Sequence, residues 1–403
     1  MKTLKRIFRV LILLLLIILI GFGIFLFYFT QKDYQPVPVE ETMIYNRKPV
    51  QLIDSVPLTF ISWNIGYCGL SKEMDFFYDG GSMVRPDKNM LQKNLNGVFD
   101  FLSKNDSVDF LLIQEIDSSS RRSYYTNQVS IFGESVKSHC RSFATNYHVG
   151  FVPLPVLKPM GKVLSGLATF SKYTPEICER YAYPVNYSWP MKIFMLDRCF
   201  MMQRHKLSFS DKELVIINLH NSAFADADLL RQYETWMLRG FLLSEYEKGN
   251  YVIAGGDWNQ NPSAYDQLKF ISGYAKKTGM PKVMKDLFPA SWKFVYDTVL
   301  PTNRDNNTPY RHGNTPTTIY DFFVVSPNIT VEQINVIDSR FEFSDHQPVY
   351  MRVLLNCDPI NICADTVKRY VTGLQDSIQK LNERYCPGSL KAKPLSPPQK
   401  NQK

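Results

Sequence analysis

Apolar and polar positions are distributed along this chain in two distinct ways. Val10 through Phe29 carries no charged side chain and is almost wholly aliphatic or aromatic. About 20 such residues, each rising 1.5 Å, cross a hydrocarbon core about 30 Å thick, which predicts one transmembrane helix. A secretory signal peptide is the alternative, but its apolar region typically runs about 7–15 residues, and no small-x-small cleavage site follows Phe29. From Leu58 onward, short apolar runs alternate with polar loops. They predict strands at 58–63, 109–113, 147–152, 166–170, 214–219, 251–254, 319–325, 330–336 and 348–355. Helical periodicity predicts helices at 90–103, 227–246 and 265–278. Several connections are too short for a βαβ crossover, which favours a mixed or antiparallel sheet.

The same patterning divides the chain. Residues 1–30 form a basic flank and membrane anchor. Residues 31–56, with Pro36, Pro38 and Pro49, read as a tether, and 57–356 as one large domain. Within 357–387, Val367, Val371, Leu374, Ile378 and Leu381 recur at three- and four-residue steps, an amphipathic helix packed on the domain. Residues 388–403 are Lys, Pro, Ser and Gln with little to bury, so disorder is expected there. Basic residues before the apolar run place the N-terminus in the cytosol and the rest of the chain outside it, as a single-pass membrane protein.

Composition alters this picture only at its edges. Apolar residues make up 45% of the 403 and charged residues 21%, as in ordinary globular domains. The net charge of +8 is carried by the two ends: Lys2, Lys5, Arg6 and Arg9, then Lys391, Lys393, Lys400 and Lys403. The intervening body is neutral, so it shows no broad basic footprint for a polyanion. The seven cysteines have no CxxC or Cys/His spacing for zinc. A disulfide among Cys357, Cys363 and Cys386 stays open if the domain is exported.

Candidate chemistry lies where apolar runs stop. Five segments, ISWN (61–64), LLIQE (111–115), IINLH (216–220), VIAGGDWN (252–259) and SDH (344–346), end in residues that handle metal or phosphate. Glu115 at a strand end offers oxygen to a hard cation such as Mg²⁺; a single solvated acid is the blander alternative. Asp257 and Asn259 sit in GGDWNQNP, read as a loop in which the carboxylate orients water and the amide meets a phosphoryl oxygen. Asp345 beside His346 suits acid–base work near neutral pH. His220 is a second imidazole at a strand end.

Together Trp63-Asn64, Gln114-Glu115, Asn218-Leu219-His220, Gly256-Asp257-Trp258-Asn259, Tyr320-Asp321-Phe322 and Ser344-Asp345-His346-Gln347-Pro348-Val349 resemble the endonuclease/exonuclease/phosphatase superfamily, in its order. The group includes deoxyribonuclease I, exonuclease III, neutral sphingomyelinases and inositol-polyphosphate 5-phosphatases. The resemblance covers roughly residues 58–355. It implies an α/β (α+β) fold, a deoxyribonuclease I-like four-layer αββα sandwich. It further implies Glu115 as the principal Mg²⁺ ligand (Mn²⁺ as the alternative ion), with Asn64 beside the metal or the scissile phosphate. Asp257 would activate water, Asn259 would bind the phosphoryl oxygen, and His220 would hydrogen-bond the phosphate. His346 would act on the phosphate or the water, oriented by Asp345, and Asp321 would support a catalytic histidine, expected to be His220. Asn64 is followed by Ile65-Gly66-Tyr67, without a second acidic or amide group, which favours one Mg²⁺ over two. Arg198 is a candidate phosphate contact, with an ion pair to Asp197 as its alternative. Arg121 and Arg122 either grip a phosphate or form a solvated loop.

The function implied is membrane-anchored, Mg²⁺-dependent phosphoester hydrolysis, with a nuclease placed first. A lipid-headgroup phosphodiesterase or inositol phosphatase is the alternative within the class, and a non-catalytic binding module the alternative outside it. No protein partner is predicted.

Overall fold

The computed structural model describes residues 2–356 apart from 49, 51, 53–55, 185, 209, 224–227, 266–273, 278 and 285. The helix and tail expected at 357–403, with their three cysteines, lie outside the described residues. Among the described residues the α-helices are α1 (Lys2–Gln31), α2 (Lys88–Lys104), α3 (Gln128–Ser135) and α4 (Asp228–Glu247). The first nine strands are β1 (Val39–Glu41), β2 (Ile44–Tyr45), β3 (Leu58–Asn64), β4 (Phe110–Asp117), β5 (Cys140–Val152), β6 (Gly161–Ser171), β7 (Ile177–Ala182), β8 (Cys199–Lys206) and β9 (Glu213–His220). Then follow β10 (Tyr251–Asp257), β11 (Ala275–Lys276), β12 (Lys293–Val295), β13 (Asn303–Arg304), β14 (Pro316–Thr318), β15 (Asp321–Val325), β16 (Ile329–Val336) and β17 (Val349–Leu355).

Two seven-stranded sheets carry the architecture, in the orders β16-β17-β3-β4-β6-β5-β2 and β1-β7-β8-β9-β10-β15-β12. Near the centre of each lies one parallel pair, β3 with β4 and β9 with β10. Side chains alternate across every strand, and both faces of these central strands are covered, so their sequences read as continuous apolar runs. Phe60 and Leu112 of one sheet meet Ile216, Ile253 and Phe323 of the other in a core between the sheets. The neighbouring positions point outward. Ile61, Trp63, Leu111 and Ile113 pack beneath Leu91, Leu95, Val98 and Leu102 of α2 and Phe132 of α3. Val215, Ile217, Val252 and Ala254 pack beneath Leu238 and Leu242 of α4. The result is four layers, helix, sheet, sheet and helix. Asp87 caps α2, its carboxylate accepting from the Met90 amide at 2.8 Å.

Three parts differ from the sequence expectation. The tether segment is partly woven into the domain: β1 pairs with β7 and β2 with β5, because Val39–Glu41 and Ile44–Tyr45 find open sheet edges. Of the helix expected at 265–278, residues 266–273 and 278 lie outside the described residues, and Ala275 and Lys276 pair as strand with Pro316 and Thr317. Strands β7 and β8 were not anticipated, since several of their inward positions are polar: Arg180, Gln203 and His205 are buried. The Arg180 guanidinium donates from Nε to the Thr145 carbonyl at 2.7 Å and from Nη2 to the Asp197 carbonyl at 2.9 Å.

One buried ion cluster fixes α4 to the sheet. Glu245 accepts from Arg204 at 2.6 and 2.8 Å, from Lys248 at 2.7 Å and from Asn250 at 2.9 Å. Burial opposes ionisation, but these donors outweigh it and hold the carboxyl at about 2, below the ordinary 4.5. Its contribution is therefore present above about pH 4.5 and lost as pH falls toward 2. Glu245→Gln should cost about 1–2 kcal/mol near neutral pH and flatten the acid limb of the stability profile, read by urea unfolding at several pH values. An unaltered acid limb would remove Glu245 from that role.

Candidate active site

The parallel pairs decide where the chemistry collects. β3 ends on Asn64, β9 on His220 and β10 on Asp257, and His220 stands beside Asp257 in register. β15 runs antiparallel to β10 and opens opposite Asp257 with Asp321. Residues remote in sequence thus meet at one edge where the two sheets come together. Beneath them a buried amide bridge ties the sheets: Gln114 Nε2 donates to Asn218 Oδ1 at 2.8 Å, and Asn218 Nδ2 to the Ala168 carbonyl at 3.0 Å. Gly255 and Gly256, expected to turn a loop, are strand residues of β10. A Cβ on Gly255 would stand 2.4 Å from the Phe323 ring and one on Gly256 2.0 Å from the Leu219 carbonyl oxygen, so glycine permits this close approach.

Glu115 is aimed by the backbone. β4 continues past it to Asp117, with a bulge against β6 between Ile113 and Ile116, and Glu115 itself adopts φ +51°. Bulges re-aim side chains next to sites, and a left-handed non-glycine residue stores about 1–3 kcal/mol of strain. Asn259, at φ +50°, is a second such position.

Asn64 Nδ2 lies between two carboxylates, 3.3 Å from Glu115 Oε1 and 3.0 Å from Asp257 Oδ2. Its Oδ1 accepts from the Gly66 amide at 2.9 Å, so the atom it turns to the cluster is a donor, not an oxygen ligand. Asp257 Oδ1 accepts from the Asn259 amide at 2.9 Å. Asn259 Nδ2 donates to the Asn221 carbonyl at 2.9 Å. His220 Nε2 lies 3.4 Å from Asp257 Oδ2 and 3.8 Å from Glu115 Oε1. Burial, aided by Arg198, pushes its pKa well down, so this imidazole is neutral. Arg198 is buried and donates to the His220 carbonyl at 3.2 Å.

His346 has the opposite character. Its Nδ1 donates to Asp321 Oδ2 at 2.7 Å, and Nε2 faces Asp257 Oδ2 at 3.6 Å. Burial works against the charged ring, but Asp321, Asp257 and Asp345 outweigh it and raise its pKa well above the ordinary value. Asp321 therefore supports His346, not His220 as expected, because β15 begins under the 344–346 loop. Nor does Asp345 orient the ring. Its Oδ2 accepts from Asn306 at 2.6 Å and stays 3.9 Å from His346 Nε2, whereas the Asn303 amide lies 3.0 Å from that nitrogen. Burial raises Asp257 to about 7 against the pull of His346, and it raises Glu115 against the pull of Arg122. Arg122 fits neither alternative set for it. It is buried, paired with Asp117 at 3.0 Å, and stacked 3.7 Å from the Tyr67 ring centre.

These groups open into a cleft of about 840 Å³. Glu115, His220, Asp257, Asn259, Asp345, His346 and Arg198 all line it, and so do Asn303 and Asn306, two residues that sequence reasoning missed. Asn303 opens β13 and Asn306 follows it, in a stretch where no apolar run frames them. Asp321 and Asn64 stand behind the wall. At the site, His220 Nδ1, Asp321 Oδ1 and Asn306 Oδ1 are among the buried side-chain atoms without a hydrogen-bond partner.

The sequence profile described as the endonuclease/exonuclease/phosphatase family matches residues 61–346. No curated protein matches the chain. Among solved structures, TDP2 from Caenorhabditis elegans is 12% identical over 74% of each chain, with a TM-score of 0.46. An endonuclease/exonuclease/phosphatase from Bacteroides vulgatus is 15% identical over 74% of this chain and 99% of its own, with a TM-score of 0.47. TDP2 of D. rerio, complexed with single-strand DNA product, is 15% identical over 74% and 98%, with a TM-score of 0.45.

Proposed function

Since the chain belongs to the endonuclease/exonuclease/phosphatase family, whose members hydrolyse phosphoesters, we propose that it is a membrane-anchored hydrolase that directs water onto phosphorus with the aid of one Mg²⁺. The observation carrying this reading is the convergence of Asn64, Glu115, His220 and Asp257 with the Asp321–His346 pair at one cleft. The donor set fits a hard divalent cation. Glu115 offers carboxylate oxygen among further acids, and the nearby cation Arg122 is committed to Asp117. Glu115 would hold the ion, which would neutralise charge on the phosphoryl oxygens.

The remaining work falls to this chain's own groups. Asp257, with a proton affinity near neutral, takes a proton from the attacking water. The water oxygen bonds to phosphorus as the bond to the leaving oxygen breaks, and that oxygen departs protonated by solvent. His346, held as an imidazolium by Asp321, donates toward the phosphoryl oxygen, and neutral His220 and Asn259 add donors. Asn64 keeps the Glu115 and Asp257 carboxylates apart.

The test uses the full chain in detergent micelles with a chromogenic bis-aryl phosphodiester. Hydrolysis should need Mg²⁺, vanish on chelation and return on adding it back. Turnover that survives chelation would sink the metal role. Mg²⁺ binding without turnover on any phosphoester would favour the binding-module alternative.

A further inference from the structure

This machinery acts on the phosphate alone; what surrounds the phosphate meets the walls of the cleft. One wall is apolar: Leu154, Met160, Met191, Phe194 and Met195 line it, from the β5–β6 hairpin and the loop before β8. The same two loops carry apolar side chains outward past the mouth. Leu154 is 51% exposed, Val156 78%, Leu157 95%, Trp189 56% and Met191 53%. An apolar rim, or lip, of this kind on a soluble surface marks a place that meets lipid or another apolar partner.

The position of α1 identifies which. It is long and apolar enough to cross a membrane, and none of its most apolar window is buried. Its last two turns rest on the two loops that make the lip. Phe29 stacks on Phe151 with ring centres 5.9 Å apart, Phe25 stacks on Phe194 at 6.0 Å, and the Trp189 indole donates to Thr30 Oγ1 at 3.0 Å. If 10–29 occupies the hydrocarbon core, the groups touching Phe25 and Phe29 lie at the bilayer surface, and the lip lies with them. Tryptophan at the end of the span is the residue that interfaces favour.

Among the described residues, the basic side chains that line the cleft are engaged by other protein groups, Arg122 by Asp117 and Arg231 by the Ser222 carbonyl. Arg304 is spent on the Ser71 carbonyl at 2.6 Å, Lys277 on Asp305 at 2.5 Å and Arg198 on the His220 carbonyl. Nucleic-acid grooves rely on Lys and Arg that reach phosphates.

We propose that the substrate is a phosphoester carried by a membrane lipid, drawn from the bilayer that α1 enters, with its apolar part on the Leu154–Met191–Phe194 wall and its phosphate at Asp257 and His346. The inference rests on the hydrolase reading above and goes beyond it in naming the substrate class. The lip dips into the same leaflet and lets the lipid enter without leaving apolar surroundings.

The test uses the full chain with Mg²⁺ in detergent mixed micelles. Substrates are a choline glycerophospholipid, a choline sphingolipid, a phosphorylated inositol lipid, the water-soluble headgroup ester of each, and a single-stranded DNA oligonucleotide. The bis-aryl phosphodiester reports the catalytic machinery separately. At least one lipid should exceed its own soluble headgroup by about tenfold or more in kcat/KM, since burial of its apolar part contributes to binding. Bis-aryl hydrolysis accompanied by preference for DNA or for soluble headgroups would overturn the lipid inference and leave the hydrolase reading intact. Failure on the bis-aryl ester as well would remove both. Val156→Asp combined with Leu157→Asp should lower the ratio of lipid to bis-aryl turnover by about tenfold; an unchanged ratio would overturn the role of the lip. Should that variant fold poorly, Leu157→Ser supplies the same ratio.

Discussion

His346→Ala should lower turnover on any hydrolysed phosphoester by about 10²–10⁴-fold while leaving the fold intact, the range typical of losing a positioned acid–base group. Three observations converge on this residue. Its ring is oriented through Nδ1, which donates to Asp321 at 2.7 Å. It is kept cationic by the surrounding carboxylates although it is buried. And it lines the cleft beside Asp257. Asp321→Asn should fall in the same direction, because the aspartate both orients the ring and sustains its charge. Asp345→Asn should leave ring orientation in place, since Asp345 makes no hydrogen bond to the imidazole. Single-turnover rates with the bis-aryl ester would separate these cases. Near-normal turnover in His346→Ala would make the ring a structural element of the 344–346 loop.

Glu115→Ala should weaken apparent Mg²⁺ affinity by at least about 10²-fold, because even partners one step removed from a metal typically contribute about 10–100-fold. Turnover at low Mg²⁺ should drop to the level of chelated wild type. Alanine keeps the Cβ, so the left-handed backbone at the bulge is strained equally in variant and wild type, and unfolding should change by no more than about 1 kcal/mol. A Mg²⁺ titration by calorimetry, beside circular dichroism for the fold, distinguishes the two effects. Unchanged metal binding would transfer the ligand role to another acid, and the buried group Asp257, Asp321 and His346, with ligand atoms within 4.8 Å of one another, would be the next candidate.

Much of this was legible in sequence because both sheets bury both faces of their central strands. Continuous runs such as ISWN and LLIQE therefore stand out, and the polar residue ending each run marks a sheet edge. Helices α2 and α4 announced themselves by period. What the sequence concealed depends on backbone geometry and on pairing between distant residues. The bulge that turns Glu115 has no local signature, and β4 was expected to stop at 113. Which carboxylate serves which imidazole is fixed by the register of β10 with β15, beyond the reach of any motif. Arg122 was misread because a buried guanidinium between Asp117 and Tyr67 looks, in sequence, like any basic loop residue. The apolar lip was hidden for a related reason: Leu154, Val156, Leu157 and Met191 are scattered aliphatics until the hairpin and loop bring them to one rim.

The tie between α1 and the sheets has a kinetic corollary. Only seven residues, 32–38, separate α1 from β1, a leash of at most about 25 Å, and contacts at Phe151 and Phe194 shorten the effective reach further. With α1 in a bilayer and a lipid as substrate, the two proposals made above, an enzyme held this closely samples a plane, not a volume. Its velocity should follow the mole fraction of substrate among its neighbours in the leaflet and ignore the total amount of membrane present. Diluting the substrate with inert lipid would slow it, whereas diluting the whole suspension with buffer would not.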